Sequence, residues 1–526
     1  MSKLPIGIQS FEDIRKNNYL YVDKTKYIWD LIETGKVYFL SRPRRFGKSL
    51  FLSTLEAYFR GGKELFRGLD IEKLEGTREK PWVSYPVLHF SLSGGAYDTE
   101  QGLIDQLNNV LINAMKEYSI DSSAINGETL PVRFFNILCA LHDATGRQVV
   151  VLLDEYDKPL LTNIVSCPDM EEKNRTIFKS FFSVLKDADA HLKFVFVTGI
   201  TKFSKVSIFS DLNQLKDISL LPKYGAICGI TEQEVRDNFQ EDIDALAKSQ
   251  GLSQKAALEE LARMYDGYHF SRSEVGVYNP FSLLNALSDE YLGRYWFETG
   301  TPTFLYKKLV ESKRSVQEFS DGVTATESRL GNYLFDDYDL VPLYYQAGYL
   351  TITGYDSKFK TYTLSYPNDE VKYGYLESLI PIANASYQAP DATFSADKMI
   401  GYLRDNNPEP FMQMLQALLA SVPYYEGKAP VNEQQWRNIL YAIFVVLGQY
   451  VRSEVHSSRG RSDCILENDR YVYIFEFKQD KTAEEAIEQI DANGYAVPYA
   501  ASQKKVVKIG ANFSTKMQTL DKWIIV

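Results

Sequence analysis

The chain has 526 residues, 45% of them hydrophobic and 24% charged, a globular composition too long for one ordinary core, so two to four domains are expected. A formal net charge of −11 argues against tight, non-specific nucleic-acid binding by the whole surface, but leaves room for a local basic groove. The start, MSKLPIGIQSFEDIRKN, has no apolar targeting segment, the apolar helical stretch 439–451 is too short for a bilayer, and Cys139, Cys167, Cys228 and Cys464 form no zinc pattern. A cytoplasmic protein without membrane contact is expected.

The first informative element is the apolar strand 37–40, followed by SRPRRFGKS (41–49) and the helical pattern LFLSTLEAYF. Strand, turn and Gly-Lys-Ser opening a helix suit a triphosphate, because turn N–H groups and the positive helix end face the anion. Lys48 would reach the outer phosphates, the Ser49 hydroxyl would hold Mg²⁺, and Gly47 would keep a Cβ out of the way. Arg44, Arg45, Phe46 and Leu50 complete the expected nucleotide-binding loop. Arg42 stands where the usual pattern has a further glycine, and puts bulk and charge where backbone should approach phosphate.

After a strand at 85–91, the stretch QVVVLLDEYD (148–157) reads as a buried strand of a parallel sheet with acids at its C-terminal end, where such sheets place ligands. Asp154 would hold Mg²⁺ through water, and Glu155 would orient or deprotonate the attacking water. A solvated acidic turn would look the same in isolation; the upstream loop favours the site. A third strand, 193–197, runs into TGITK, making Thr198 and Thr201 γ-phosphate sensors or plain strand-end residues.

Residues 231–287 read helical, with a capping box at Thr231 and Glu234 and breaks at Asp266-Gly267 and Asn279-Pro280. A helix ending near Ala347, Gly348, and YLTITGYDSKFKTYTLSYPN as two strands suggest a winged helix.

The tail opens with the amphipathic helix NEQQWRNILYAIFVVLGQY, whose Glu433 could join a metal site or serve as a helix N-terminal acid, and continues into VRSEVHS, with Glu454 and His456 in open roles. GRSDCILEN (460–468) and RYVYIFEFKQ (470–479) read as a hairpin turning at Asn468-Asp469. Period-two alternation puts Tyr471, Tyr473 and Phe475 on one face and Val472, Ile474, Glu476 and Lys478 on the other. Glu-x-Lys alone is usually a solvated strand edge; with Asp463 at the partner position, Asp463 and Glu476 would be hard oxygen ligands for Mg²⁺ that polarises a phosphodiester, while Lys478 would orient water or stabilise charge. Gln489 and Tyr495 follow on a helical stretch. Short basic runs occur at Arg42–Lys48 and at Arg452, Arg459 and Arg461.

YVDKTKYIWDLI (21–32), FLSRPRRFGKSLFLSTLEAYF (39–59), VVVLLDEYDKPL (149–160) and VTGITKFSKVSIFSDLNQL (197–215) resemble the bacterial AAA-ATPase-like family, whose members carry a Pro-Arg-Arg-Phe-Gly-Lys-Ser loop. The tail, GRSD…EFK…Q…Y, resembles the PD-(D/E)XK nuclease superfamily domain that commonly follows it, with Ser462 in the Pro position. YDGYHF, YNPFS, WFETGTPTFL and YQAGYLTI resemble that family's intermediate region.

The resemblance implies an α/β chain: a P-loop NTPase parallel sheet (1–225), a helical lid (226–300), a winged-helix-like part (301–385) and a restriction-endonuclease-like α/β domain (386–526). It implies Mg-ATP on Lys48, Ser49, Asp154 and Glu155, and a nuclease site on Asp463, Glu476 and Lys478, with Gln489 and Tyr495 as the helix motif of the RecB-like branch. Two functions stay open. One is an ATP-regulated, Mg²⁺-dependent nuclease acting on DNA, in defence or mobile-element biology by analogy. The other is a nucleotide-dependent switch or scaffold whose tail binds without cutting. Self-association into a homo-oligomer is compatible with either.

Overall fold

Five parallel strands build the first sheet: β1 (Val37–Ser41), β2 (Val87–Ser91), β3 (Val149–Asp154), β4 (Leu192–Gly199) and β5 (Lys216–Asp217), in the order β2-β3-β4-β1-β5. These come from a computed structural model, which describes residues 3–526 except 122, 124–128, 164–166, 203–213, 299–304, 306–307, 310–311, 313, 331–338, 381–394, 421–432, 450–451, 459–460 and 501; at 168, 298, 433, 435, 452–458 and 461–463 the backbone alone is described. The strands expected at 37–40, 85–91, 149–153 and 193–197 are β1 to β4.

All six residues of β3 are buried, because helices cover both faces of the sheet. Alternation along β4 sorts the two layers. Phe194 and Phe196 meet Phe59 and Phe51 of the helix Lys48–Phe59, at ring separations of 5.1 and 5.7 Å. Val195 and Val197 join the opposite core, where Phe134 and Phe181 stack at 4.4 Å between the helices Leu130–Thr145 and Pro168–Asp187. Register aligns Ser41 with Gly199 and Leu153 with Val197, so β1, β3 and β4 end together.

The helices Glu232–Asn238, Gln240–Ser249, Gln254–Tyr265 and Pro280–Asp289 pack around Val235, Phe239, Leu261 and Leu283. The expected capping box at Thr231 and Glu234 is formed, and the Asn279 side chain caps the helix begun by Pro280. The expected helix and hairpin are Leu340–Ala347, β7 (Thr351–Asp356) and β8 (Thr361–Ser365), joined by β6 (Val323–Thr326) in an antiparallel sheet β6-β8-β7. Packing divides the chain into two units: residues 1–299 with 323–370, and residues 300–322 with 371–526.

The second unit holds β9 (Arg452–Ser458), β10 (Arg461–Glu467), β11 (Tyr471–Gln479), β12 (Lys505–Ser514) and β13 (Thr519–Ile525), ordered β13-β12-β11-β10-β9. β11 and β12 are parallel and linked by the helix Ala483–Ala492, which lies so close that a Cβ on Gly510 would come within 2.6 Å of the Ala483 carbonyl. On the other face, Phe444 of the helix Glu433–Leu447 meets Phe475 at 4.9 Å.

Candidate functional site

The loop between β1 and its helix owes its shape to two left-handed residues, Arg45 (φ 64°) and Gly47 (φ 92°). A Cβ built on Gly47 would meet no protein atom within 4 Å, so the glycine is required by the backbone angle, and the loop presents open space on that side. Gly47 caps the helix that starts with Lys48 and Ser49 and continues through Leu50. Lys48 is buried, and its ammonium donates to the carbonyls of Arg42 (2.9 Å) and Pro43 (2.8 Å). Burial lowers its pKa, while the nearby charges of Asp154, Asp157 and Glu155 act in the opposite direction.

Arg42 does not crowd the loop, contrary to expectation. Its guanidinium is buried beneath the loop and donates to the carbonyls of Ser41 (2.8 Å), Ser219 (2.9 Å) and Tyr224 (2.9 Å), with its centre 4.3 Å from the ring centre of Phe270. The physical reason is that three backbone carbonyls and an aromatic face hold the cation more firmly than an open loop could.

Asp154 ends β3, is buried, and accepts the Glu155 N–H at 3.0 Å. Glu155 adopts φ 52°, and burial, then the Asp154 charge, raise its pKa. Thr198, paired with Leu40 across β1 and β4, donates its hydroxyl to the Leu40 carbonyl at 2.9 Å. The sequence reading passed over Asp157. Its buried carboxylate accepts from the Ile200 N–H (3.0 Å), the Thr201 N–H (2.6 Å) and the Thr201 hydroxyl (2.7 Å), tying the end of β4 to the acidic turn. Its signal was the third acid of DEYD.

The loop is also braced from the helical region. Phe46 packs edge-on against Tyr268 and Phe270 at 4.7 and 5.2 Å, and its carbonyl accepts the Gly229 N–H. Arg45 lies over Phe281 at 3.8 Å, and the Trp296 indole donates to the Arg44 carbonyl at 3.2 Å. At Gly348 (φ 91°), a Cβ would come within 2.7 Å of Pro43. Residues of four separate middle motifs, Tyr268 and Phe270, Phe281, Trp296 and Gly348, therefore converge on the loop. Beside it opens a cleft whose lining includes Val22, Lys24, Phe46, Gly47, Leu50 and Cys228. The Lys24 ammonium reaches both oxygens of Glu234 at 2.7 Å, fastening the N-terminal segment to the helical region.

In the second unit, register sets Asp463 directly opposite Glu476, and directly paired residues share a face of the sheet. Ile465, two positions on, packs with Ile474, Val472 and Ile490 on that face. The side chains of Asp463, Glu433, Glu454, His456, Arg452 and Arg461, and all of Arg459, lie outside the described residues. Glu476 is fully buried, and Lys478 donates to its Oε1 at 2.8 Å and to Gln489 Oε1. The strand and the helix Ala483–Ala492 thus bring Glu476, Lys478 and Gln489 together. Tyr495 packs against the apolar cluster of Val472, Ile474 and Ile490, and its hydroxyl accepts from the Asn493 amide at 2.7 Å. Among the described residues, no three His, Cys, Asp or Glu side chains converge as a metal centre. The oxygen donors Glu476 and position 463 suit a hard cation.

Residues 5–209 match the family described as Predicted AAA-ATPase, and residues 431–523 match the PD-(D/E)XK nuclease superfamily. The chain is similar to an "Uncharacterized protein in vnfD 5'region" of Azotobacter chroococcum mcd 1, 37% identical over 537 residues, covering 99% of this chain and 98% of that protein. No solved structure matches. Among the described residues, no helix is long and apolar enough to cross a membrane.

Proposed function

This chain belongs to the family of predicted AAA-ATPases that carry a C-terminal PD-(D/E)XK nuclease superfamily domain, and on that footing we propose that it binds and hydrolyses ATP at its first unit and cleaves DNA with Mg²⁺ at its second. The functional parts in this reading are the ATPase (1–225), a helical lid (226–300), a winged-helix-like part (301–385) and the nuclease (386–526), working in the cytoplasm, in defence or mobile-element biology. The observation that carries it is the Glu476–Lys478–Gln489 constellation facing position 463, together with a glycine-turned loop above Lys48 and Asp154.

Lys48 and the N–H groups opening its helix would hold the phosphates, with Arg44 and Arg45 beside them. Ser49 and Asp154 would hold a magnesium ion, which when bound supplies charge neutralisation on the β- and γ-oxygens. Glu155, with its pKa raised, is suited to accept a proton from water, and Thr198 would sense the γ-phosphate. The apolar cleft beside Phe46 and Leu50 would take the adenine, since guanine would leave more polar edge groups unpaired there. At the rear, Asp463 and Glu476, with Glu433, would hold magnesium, while Lys478 and Gln489 orient water and the developing charge, with Tyr495 flanking them.

A second reading, a nucleotide-dependent switch that binds nucleic acid without cutting, is favoured by the net charge of −11 and by Lys478 neutralising Glu476. Incubating plasmid and linear DNA with Mg²⁺, with and without ATP, separates the two. Cutting by the native chain and not by Glu476→Ala supports the nuclease. Binding without cutting by either protein supports the switch.

A further inference from the structure

We propose that Glu370 is a positioning residue that couples the phosphate loop to the chain entering the second unit. The inference rests on the ATP reading above and adds the route by which the nucleotide would be felt. Glu370 is fully buried, and its two oxygens hold two different elements. Oε1 accepts the Trp296 backbone N–H at 2.8 Å, and Oε2 accepts the Ser282 hydroxyl at 2.8 Å.

Each partner is one step from the loop. The Trp296 indole donates to the Arg44 carbonyl, and Phe281, next to Ser282, carries the Arg45 guanidinium. One carboxylate therefore anchors the supports of both loop arginines. Those arginines sit on the stretch that must rearrange when phosphates draw in the loop N–H groups. Glu370 is also the last residue of the first unit, in the helix Asp369–Leu379, and residue 371 is the first of the second. A shift at Arg44 or Arg45 must either break these hydrogen bonds inside a buried site, which is costly, or move the start of that helix.

Hydrogen exchange of the full chain, with and without Mg-ATP, tests the coupling. In the native protein Mg-ATP should slow exchange at 44–50 and change it at 369–379. In Glu370→Gln the loop protection should persist, and the change at 369–379 should fall by about fivefold or more, the low end of typical allosteric coupling. Trp296→Phe, which removes the indole N–H but keeps an aromatic ring and the backbone N–H that Glu370 accepts, should act the same way and serves if Glu370→Gln does not fold. Loop protection in the native chain with no change at 369–379, or an undiminished change in both variants, overturns the coupling and leaves ATP binding intact. Absence of loop protection in the native chain overturns the ATP reading and the coupling with it.

Discussion

The two candidate centres are built in opposite ways. At the front, Lys48 is held by carbonyls of its own loop, and the loop is held by residues more than two hundred positions away, among them Trp296 and Gly348. At the rear, Glu476, Lys478 and Gln489 lie within one strand-and-helix segment, and the cation pairs directly with an acid. The front is a cage open to rearrangement by whatever displaces its carbonyls. The rear is a local, pre-paired cluster whose charges balance each other before any ligand arrives.

The largest effect should come at the rear. Glu476→Ala removes a proposed metal ligand and leaves the half-buried Lys478 without its acid, so metal-dependent cleavage should fall about a thousandfold or more in a plasmid assay. A variant that still cuts would dissolve the contrast by emptying the rear centre of chemistry. Lys48→Ala should come next, weakening Mg-ATP binding by about a hundredfold in calorimetry, the scale of losing one buried, hydrogen-bonded charge. Unchanged affinity would mean the front cage is only structural.

Arg42→Ala sharpens the comparison, because it tests the scaffold beneath the cage. Three carbonyls would lose a guanidinium hydrogen bond, and urea unfolding should show a loss of about 2–4 kcal/mol, while Glu476 chemistry stays intact. The smallest expected effect is a pH shift. Burial raises the pKa of Glu155, so its ionised form fills in only as pH rises through that raised value. The acid limb of ATP hydrolysis should therefore lie above that of an ordinary carboxylate near 4.5, and Glu155→Gln should remove both rate and limb. A limb at the ordinary value would mean another group takes the proton.

Legibility followed the same contrast. Period-two alternation alone placed Glu476 and Lys478 on one face, and a hairpin with a short turn set Asp463 opposite, because strand geometry is local. The buried strands β1, β3 and β4 were equally readable from continuous apolar runs. Arg42 was misjudged for the complementary reason. Its direction depends on carbonyls at 219 and 224 and on the ring of Phe270, none of which its neighbours in sequence reveal. Asp157, Trp296, Phe281 and Glu370 were missed likewise, since each matters only through a partner distant along the chain.

The amino-acid order by itself determined the strands β1 to β4, the capping box at Thr231, the glycine-turned loop and the acid-lysine face of the rear hairpin, since all of these follow from steric and periodic rules acting over a few residues. Tertiary structure alone decided that the guanidinium of Arg42 turns inward, that four aromatic motifs grip one loop, and that a single buried carboxylate joins their supports. Those outcomes required carbonyls and ring faces of separated segments to be satisfied together in one interior.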